Sequence, residues 1–129
     1  MSFEDIKIIG VDKNRTYKPD PEKSLYHVYF KLSTEPPLEW VRIFEEEHRF
    51  PRHSMWRHAW IDGQFIVVPC CLDEVEKFIL DDIKQDVANT NRKYQEYLQQ
   101  LEIEQEKERH REEKERKEID EALEGIDFE

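Results

Sequence analysis

No proline follows Pro69, and no glycine lies between Gly63 and Gly125. These two residue types most often break a helix, because proline lacks a backbone N–H and glycine loses the most conformational entropy on folding. The sequence therefore predicts one uninterrupted helix from Leu72 to about Leu123, which at about 1.5 Å per residue would be roughly 75–80 Å long. This element constrains the rest of the fold, since the remaining residues must cover its apolar part.

Apolar residues occupy one face of the predicted helix as far as Leu101. Their steps of three or four residues average about 3.6, whereas a leucine zipper repeats about every 3.5 residues. A spacing of about 3.6 keeps one face of a straight helix against a flat surface, so we expect packing on a sheet or in a straight bundle. The members of this stripe are Leu72, Val75, Ile79, Ile83, Val87, Thr90, Tyr94, Leu98 and Leu101, of which Thr90 is the weakest.

Residues 104–118 contain no apolar side chain. Oppositely charged pairs four residues apart, such as Arg111–Glu115, each stabilise a helix by about 0.2–0.5 kcal/mol, so the segment suits a solvated helix. A frayed and disordered tail is the alternative. We accordingly divide the chain into an α+β core over 1–101, which includes the packed part of the helix, and a charged helical extension or tail over 102–129.

A small apolar group follows this polar spacer, at Ile119, Ala122, Leu123, Ile126 and Phe128. Three interpretations remain open at this point. The group could be a recognition motif for a groove in a partner, it could fold back on its own chain, or it could have no role.

The residues before the long helix alternate between strand and loop signals. β-forming side chains predict strands over 5–13, with a bulge at Gly10, and over 25–32. Prolines at a first helical turn then predict a helix from about Pro37 to His48.

The segment 59–70 has the pattern of a β-hairpin. Asp62 and Gly63 suit a type I′ turn, because that turn needs positive φ angles. The element order is then β-β-α-β-β-α, which predicts an α+β fold: a two-layer sandwich of an antiparallel sheet and helices, with a long C-terminal helix.

Charge is distributed unevenly along the chain. Hydrophobic residues make up 37% and charged residues 40%, with a net charge of −11. Residues 1–71 hold 10 Lys/Arg against 11 Asp/Glu, and residues 72–129 hold 10 against 20. This acidic balance disfavours bulk attraction to nucleic acids or anionic membranes and could suit a basic partner.

The sequence also predicts a cytoplasmic location. No apolar run reaches the roughly 18–20 residues that a membrane span needs, and the first residues do not resemble a signal peptide. Cys70 and Cys71 are the two cysteines, and adjacent cysteines rarely form an unstrained disulfide. Two thiols without a disulfide framework indicate a reducing compartment.

The segment 48–60 concentrates arginine, histidine and tryptophan. Arginine pairs with phosphate or carboxylate, and tryptophan can stack on a base, so the segment predicts a site for an anionic ligand or single-stranded nucleic acid. Its candidate residues are Arg49, Arg52, His53, Trp56, Arg57 and Trp60. Alternatively, the tryptophans belong to the core and the arginines neutralise the three glutamates at 45–47. The spacing of His48, His53 and His58 matches no zinc pattern, so we expect no metal site.

No catalytic or cofactor motif is recognisable, and three glycines are too few for a phosphate-binding loop. We therefore expect a non-enzymatic protein-interaction module without a cofactor. The partner would be another protein chain, most simply a second copy, bound through the core or the long helix. The expected interface residues are Tyr94, Tyr97, Leu98 and Leu101. The anion-binding segment 48–60 is the alternative function.

Overall fold

A computed structural model describes residues 2–129 and shows an α+β fold with a long C-terminal helix. Two compact units can be distinguished, Ser2–Gln95 and Glu96–Glu129. The elements are β1 (Ile8–Val11), β2 (Tyr26–Leu32), α1 (Leu38–His48), β3 (Trp60–Asp62), β4 (Phe65–Cys70), a π-helical turn (Val75–Ile79) and α2 (Leu80–Leu123). The predicted fold class and element order are confirmed.

The four strands form one antiparallel sheet in the order β1-β2-β4-β3. Along β2, Val28, Phe30 and Leu32 are buried, and the opposite residues Ile66 and Val68 of β4 are buried on the same face. Apolar side chains from the helices complete this core. Their burial stabilises the fold, because removal of apolar area from water is the main favourable term in folding. The buried members from the helices and the π-helical turn are Trp40, Phe44, Ile79, Ile83 and Val87.

Strand β1 is shorter than predicted and contains the expected irregularity. Its register against β2 shifts between Ile8 and Gly10, which confirms a bulge at this point. A bulge places two residues of one strand opposite one residue of its neighbour. Beyond the bulge, the backbone N–H and C=O groups therefore point to the opposite side from the one that regular alternation would give.

The β3–β4 hairpin is present, but its predicted turn is wrong by one residue. Asp62 pairs with Phe65, so Gly63 and Gln64 are the two loop residues. Gly63 has a φ of 57°, and no non-glycine residue among 2–129 has a positive φ. A type I′ turn needs positive φ at both central residues, whereas a type II′ turn needs it at the first, where glycine fits best. The turn therefore matches type II′.

The long helix begins later than predicted. The N–H groups of Glu74 and Val75 bond to carbonyls three residues back, so Leu72 belongs to a tight turn and its side chain is exposed. The π-helical turn follows before regular α-helix begins at Leu80. Thr90, the weakest member of the stripe, is fully buried. Burial of its hydroxyl is tolerated because the hydroxyl donates to the carbonyl of Asp86 at 2.6 Å.

The Glu96–Glu129 unit is helical as far as Leu123, and this helix includes 104–118. Arg111 pairs with Glu115 as predicted and also with Glu108, three residues earlier. Helix α2 ends before Gly125, whose φ of 76° is typical of a helix C-terminus. None of the helices within 2–129 combines the length and apolar character that crossing a bilayer would require.

Candidate functional site

The loop that follows α1 is attached to the first turns of α2 by buried charges. Asp86 is 0% exposed, and its two carboxylate oxygens contact His48 Nδ1 and Arg52 Nη1, each at 2.6 Å. Arg52 Nη2 also donates to the carbonyl of Asp82 at 2.8 Å. We call His48, Arg52 and Asp86 the Asp86 cluster. Burial of a carboxylate is tolerable here because both of its oxygens have a partner.

The imidazole of His48 has a partner at each nitrogen. Its Nε2 lies 3.0 Å from the carbonyl of Arg57, and because a carbonyl can only accept, Nε2 must donate. Its ring is 3% exposed and stacks on Phe44, with centroids 5.6 Å apart. A histidine beside an aspartate can act as a catalytic base, but that role needs a nitrogen within reach of a substrate. His48 is therefore placed to brace the loop.

A second histidine makes a similar arrangement nearer the surface. His53 Nε2 lies 2.7 Å from Asp82 Oδ2, while its Nδ1 accepts the N–H of Met55 at 3.2 Å. Both ring nitrogens are thus engaged. Among residues 2–129 no group of three metal-ligating side chains converges on a common point.

Arg57 forms the second ion pair between the loop and the chain before α2. Its Nε and Nη2 donate to the two oxygens of Glu74 at 3.1 and 2.8 Å, and Glu74 also accepts the N–H of Cys71 at 2.8 Å. The side-chain hydrogen bond from Arg57 is the main reason why the pKa of Glu74 is lowered. The same bond raises the pKa of Arg57.

We expect this ion pair to make stability depend on pH. A carboxylate whose pKa is lower in the folded than in the unfolded state stabilises the fold above its unfolded pKa, and this stabilisation is lost as the pH falls through the lowered value. At neutral pH, Glu74→Gln should reduce the free energy of unfolding by about 1–2 kcal/mol, and the difference from wild type should vanish in acid. Urea titrations across pH measure this. Glu76→Gln, at an exposed neighbouring position, is the control; a pH-independent difference contradicts the assignment.

The aromatic members of the predicted site are divided between two places. Trp56 donates its Nε1 to the carbonyl of His48 at 3.2 Å, and the Arg52 guanidinium lies 4.6 Å from its ring centroid. Trp60 instead lies on β3, where its ring contacts His27 with centroids 5.3 Å apart. The tryptophans thus contribute to packing around the loop and on the sheet.

The structure brings three of the six predicted ligand-binding residues together, namely Arg52, His53 and Trp56. The guanidinium of Arg57 instead pairs with Glu74. Arg49 is exposed and lies 5.8 Å from the ring of Phe50.

Two of the arginines do not neutralise 45–47, because Arg52 pairs with Asp86 and Arg57 with Glu74. Glu47 pairs with Lys93 at 2.6 Å. An anion at this loop would compete with carboxylates already in place.

Sequence reasoning missed two buried polar residues of α2, Asp86 and Asn91. Asn91 Oδ1 accepts the N–H of Ile6 at 3.1 Å and the Nε1–H of Trp40 at 2.9 Å, and its Nδ2 donates to the carbonyl of Ile6 at 2.8 Å. Each residue lies one position from the apolar stripe, beside Val87 or Thr90. A polar residue adjoining such a stripe is the signal that could have revealed them.

The four predicted interface residues differ in exposure. Tyr94 is buried, and its ring packs edge-on against Phe3 with centroids 4.6 Å apart. Leu98 is also buried, Leu101 is half-buried, and Tyr97 is 39% exposed. Their role at an interface with another chain stays a prediction.

The cysteines end strand β4 and begin the turn that follows. Cys70 is buried, which raises the pKa of its thiol to about 11. The thiol is therefore protonated at neutral pH and is a poor nucleophile.

Comparison with known proteins adds no further assignment: no protein-family model matches the chain, and no curated protein and no solved structure shows significant similarity to it.

Proposed function

We propose that this chain is a non-enzymatic protein-interaction module whose Glu96–Glu129 unit binds another protein chain. The observation that carries the proposal is the exposed apolar group at the end of this unit. Ile119, Leu123 and Ile126 are 46%, 60% and 46% exposed, and Phe128 is 90% exposed. Apolar side chains gathered in one segment and left in water are typical of a binding surface.

The spacing within this group supports helix-in-groove recognition. Ile119, Ala122, Leu123 and Ile126 follow the pattern i, i+3, i+4, i+7, which characterises helical segments that bind apolar grooves. Helix α2 itself ends at Leu123, so Ile126 would complete the pattern if the last turn extended on binding. We call residues 119–128 the terminal apolar segment.

The segment before this group explains why its side chains stay in water. Residues 104–118 are all exposed, and ion pairs within the helix, such as Arg109–Glu106 and Arg111–Glu115, stabilise it without an apolar face. A helix of this kind offers nothing for the terminal apolar segment to pack on. A groove in another protein would bury it.

The contacts around His48 support a non-enzymatic role. Both nitrogens of His48 and of His53 are engaged, and the guanidinium groups of Arg52 and Arg57 are held by carboxylates. Each of these four side chains thus has a partner that fixes the loop. This arrangement favours the interaction module over an anion-binding loop.

The test replaces the exposed apolar residues in the full chain. We expect Leu123→Ser combined with Phe128→Ser to weaken capture of a partner by about tenfold or more, because truncating buried anchors of an interface costs more than about 1 kcal/mol each. Affinity capture with quantitative mass spectrometry measures foreign partners, and light scattering measures self-association.

The matched control is Leu38→Ser, which changes a side chain that is 69% exposed in the other unit. It should leave capture and mass unchanged. Equal partner recovery and equal mass for the wild type and the Leu123/Phe128 double variant would rule the proposed function out.

A further inference from the structure

Strand β1 forms one edge of the sheet, and its side chains Ile9 and Val11 are 58% and 42% exposed. An edge strand presents unpaired backbone groups that can pair with a strand of another chain. We propose that two copies of this chain pair antiparallel through β1 about a two-fold axis, which joins their sheets into one. The proposal rests on the proposed function only in requiring a second protein chain, since its surface lies within Ser2–Gln95.

The backbone directions along β1 suit such a pairing. The carbonyl of Lys7 and the N–H of Asp12 bond to the neighbouring β2 side of the sheet at 2.7 and 2.8 Å. Because successive residues of a strand direct these groups to alternate sides, Ile8 and Val11 direct theirs away from β2. Ile6 points to this side as well, and its N–H and carbonyl bond to Asn91 of α2. Residues three apart normally face opposite sides, and the bulge between them brings both to the same side.

One register lets these four open groups pair with a second copy. A two-fold axis between Ile9 and Gly10 sets Ile8 of each chain opposite Val11 of the other. The two residues can then exchange N–H···O bonds, once on each side of the axis. The bulge therefore makes the edge complementary to itself.

The side chains fit the same register. Lys7 of each chain lies opposite Asp12 of the other, so two pairs of opposite charge form across the axis. Ile9 lies opposite Gly10, where an added Cβ would meet nothing within 4 Å in the single chain. The missing side chain of glycine leaves room for the isoleucine.

Neighbouring registers lack these matches. A shift of one residue in one direction sets Lys7 opposite Lys13, and like charges directly opposite each other destabilise a strand pair. A shift in the other direction sets Lys7 opposite Val11. Charge complementarity thus selects the register that the backbone directions also select.

An apolar groove beside β1 would receive part of the second copy. It has a volume of about 460 Å³, and Leu72 at its border is 53% exposed. The groove is lined by Val11, Lys13, Thr16, Val28, Leu72, Asp73, Val75 and Glu76. In the selected register Ile8 of the second copy lies next to Val11, at the border of this groove.

The same edge also has features that proteins use to keep edges apart, namely a short strand, a bulge and flanking lysines. If these features prevent pairing, the chain is a monomer, and substitutions that reverse the charge of Lys7 or Asp12 leave its mass unchanged. A self-complementary edge predicts that exchanging these charges controls the mass. The two interpretations therefore give opposite results in one experiment.

The experiment measures the mass of the full chain by light scattering over a range of concentrations. The wild type should be a dimer. Lys7→Glu alone and Asp12→Lys alone should each raise the dimer dissociation constant by about tenfold or more, because each creates two like-charge contacts across the axis. An equimolar mixture of the two variants should restore the dimer, since every charge of one variant then meets its opposite in the other.

The mixture also controls for a local effect of the substitution. Asp12 Oδ1 accepts the N–H groups of Asn14 and Arg15, so Asp12→Lys can disturb that turn. The disturbed turn is still present in the mixture, and recovery of the dimer therefore reports the contact between chains. Ile9→Lys, at an exposed side chain, should likewise give a folded monomer.

A monomeric wild type at every concentration overturns the proposal. So does a dimer that Lys7→Glu and Ile9→Lys leave intact, which would assign the contact to another surface. The Leu123/Phe128 double variant should keep the β1 dimer. Failure of the dimer and failure of the proposed function are thus observed separately.

Discussion

Asp86→Ala is expected to lower the free energy of unfolding by about 3–5 kcal/mol, because removing the carboxylate of a buried ion pair leaves its polar partners without a counter-charge. His48 is 3% exposed and loses the carboxylate at its Nδ1. Arg52 loses one partner and remains partly buried. Urea unfolding followed by tryptophan fluorescence measures the change.

Two further variants separate charge from packing. Asp86→Asn keeps the shape and removes the charge. Its free energy of unfolding should therefore lie between that of the wild type and that of Asp86→Ala. Asp81→Ala changes an exposed acid at the start of the same helix and should cost less than about 0.5 kcal/mol. A loss for Asp86→Ala as small as that for Asp81→Ala would show that the Asp86 cluster does not hold the loop.

Asn91→Leu is expected to cost about 2–4 kcal/mol, although it increases the apolar area in the core. The leucine leaves the N–H and carbonyl of Ile6 and the indole N–H of Trp40 without their partners. An orphaned buried polar group costs about 1–3 kcal/mol, which outweighs the gain from an added apolar side chain. Urea unfolding gives the energy, and hydrogen exchange at the Ile6 amide locates it.

Asn89→Leu is the matched control for this prediction. Asn89 is half-buried and donates to Glu47 at 3.0 Å, and that carboxylate keeps Lys93 as a second partner. Its replacement should cost less than about 1 kcal/mol. If both leucine variants were equally stable, the amide of Asn91 would not be the link between the N-terminal segment and α1.

The fold class could be predicted because strands and helices differ in apolar period. β2 alternates every second residue, and α2 repeats at about 3.6, so each pattern predicts its own element. The bulge at Gly10 was predictable for the same reason, since the alternation slips there. The β3–β4 turn was misplaced because Asp62-Gly63 and Gly63-Gln64 both place glycine at a positive φ, and only the strand register distinguishes them.

The candidate site was harder to predict because its contacts join distant residues. The sequence singled out the segment 48–60, but the carboxylates that hold Arg52 and Arg57 lie 34 and 17 residues further along the chain. Glu45–Glu47 are nearer in sequence, yet they lie on α1, whereas Glu74 precedes α2 and Asp86 lies in it. Spacing along a chain reveals partners within one helix, and tertiary packing decides the others.

The tryptophans at 40, 56 and 60 all lie in the Ser2–Gln95 unit, whereas 104–118 is a helix held by exposed ion pairs. Fluorescence therefore follows the cooperative loss of the packed core, while circular dichroism also records a gradual, salt-sensitive fraying of the charged helix. The two melting curves will not superimpose, and the van't Hoff enthalpy from circular dichroism will fall below the calorimetric one. We therefore expect this chain to unfold as a two-state protein joined to a helix–coil polymer.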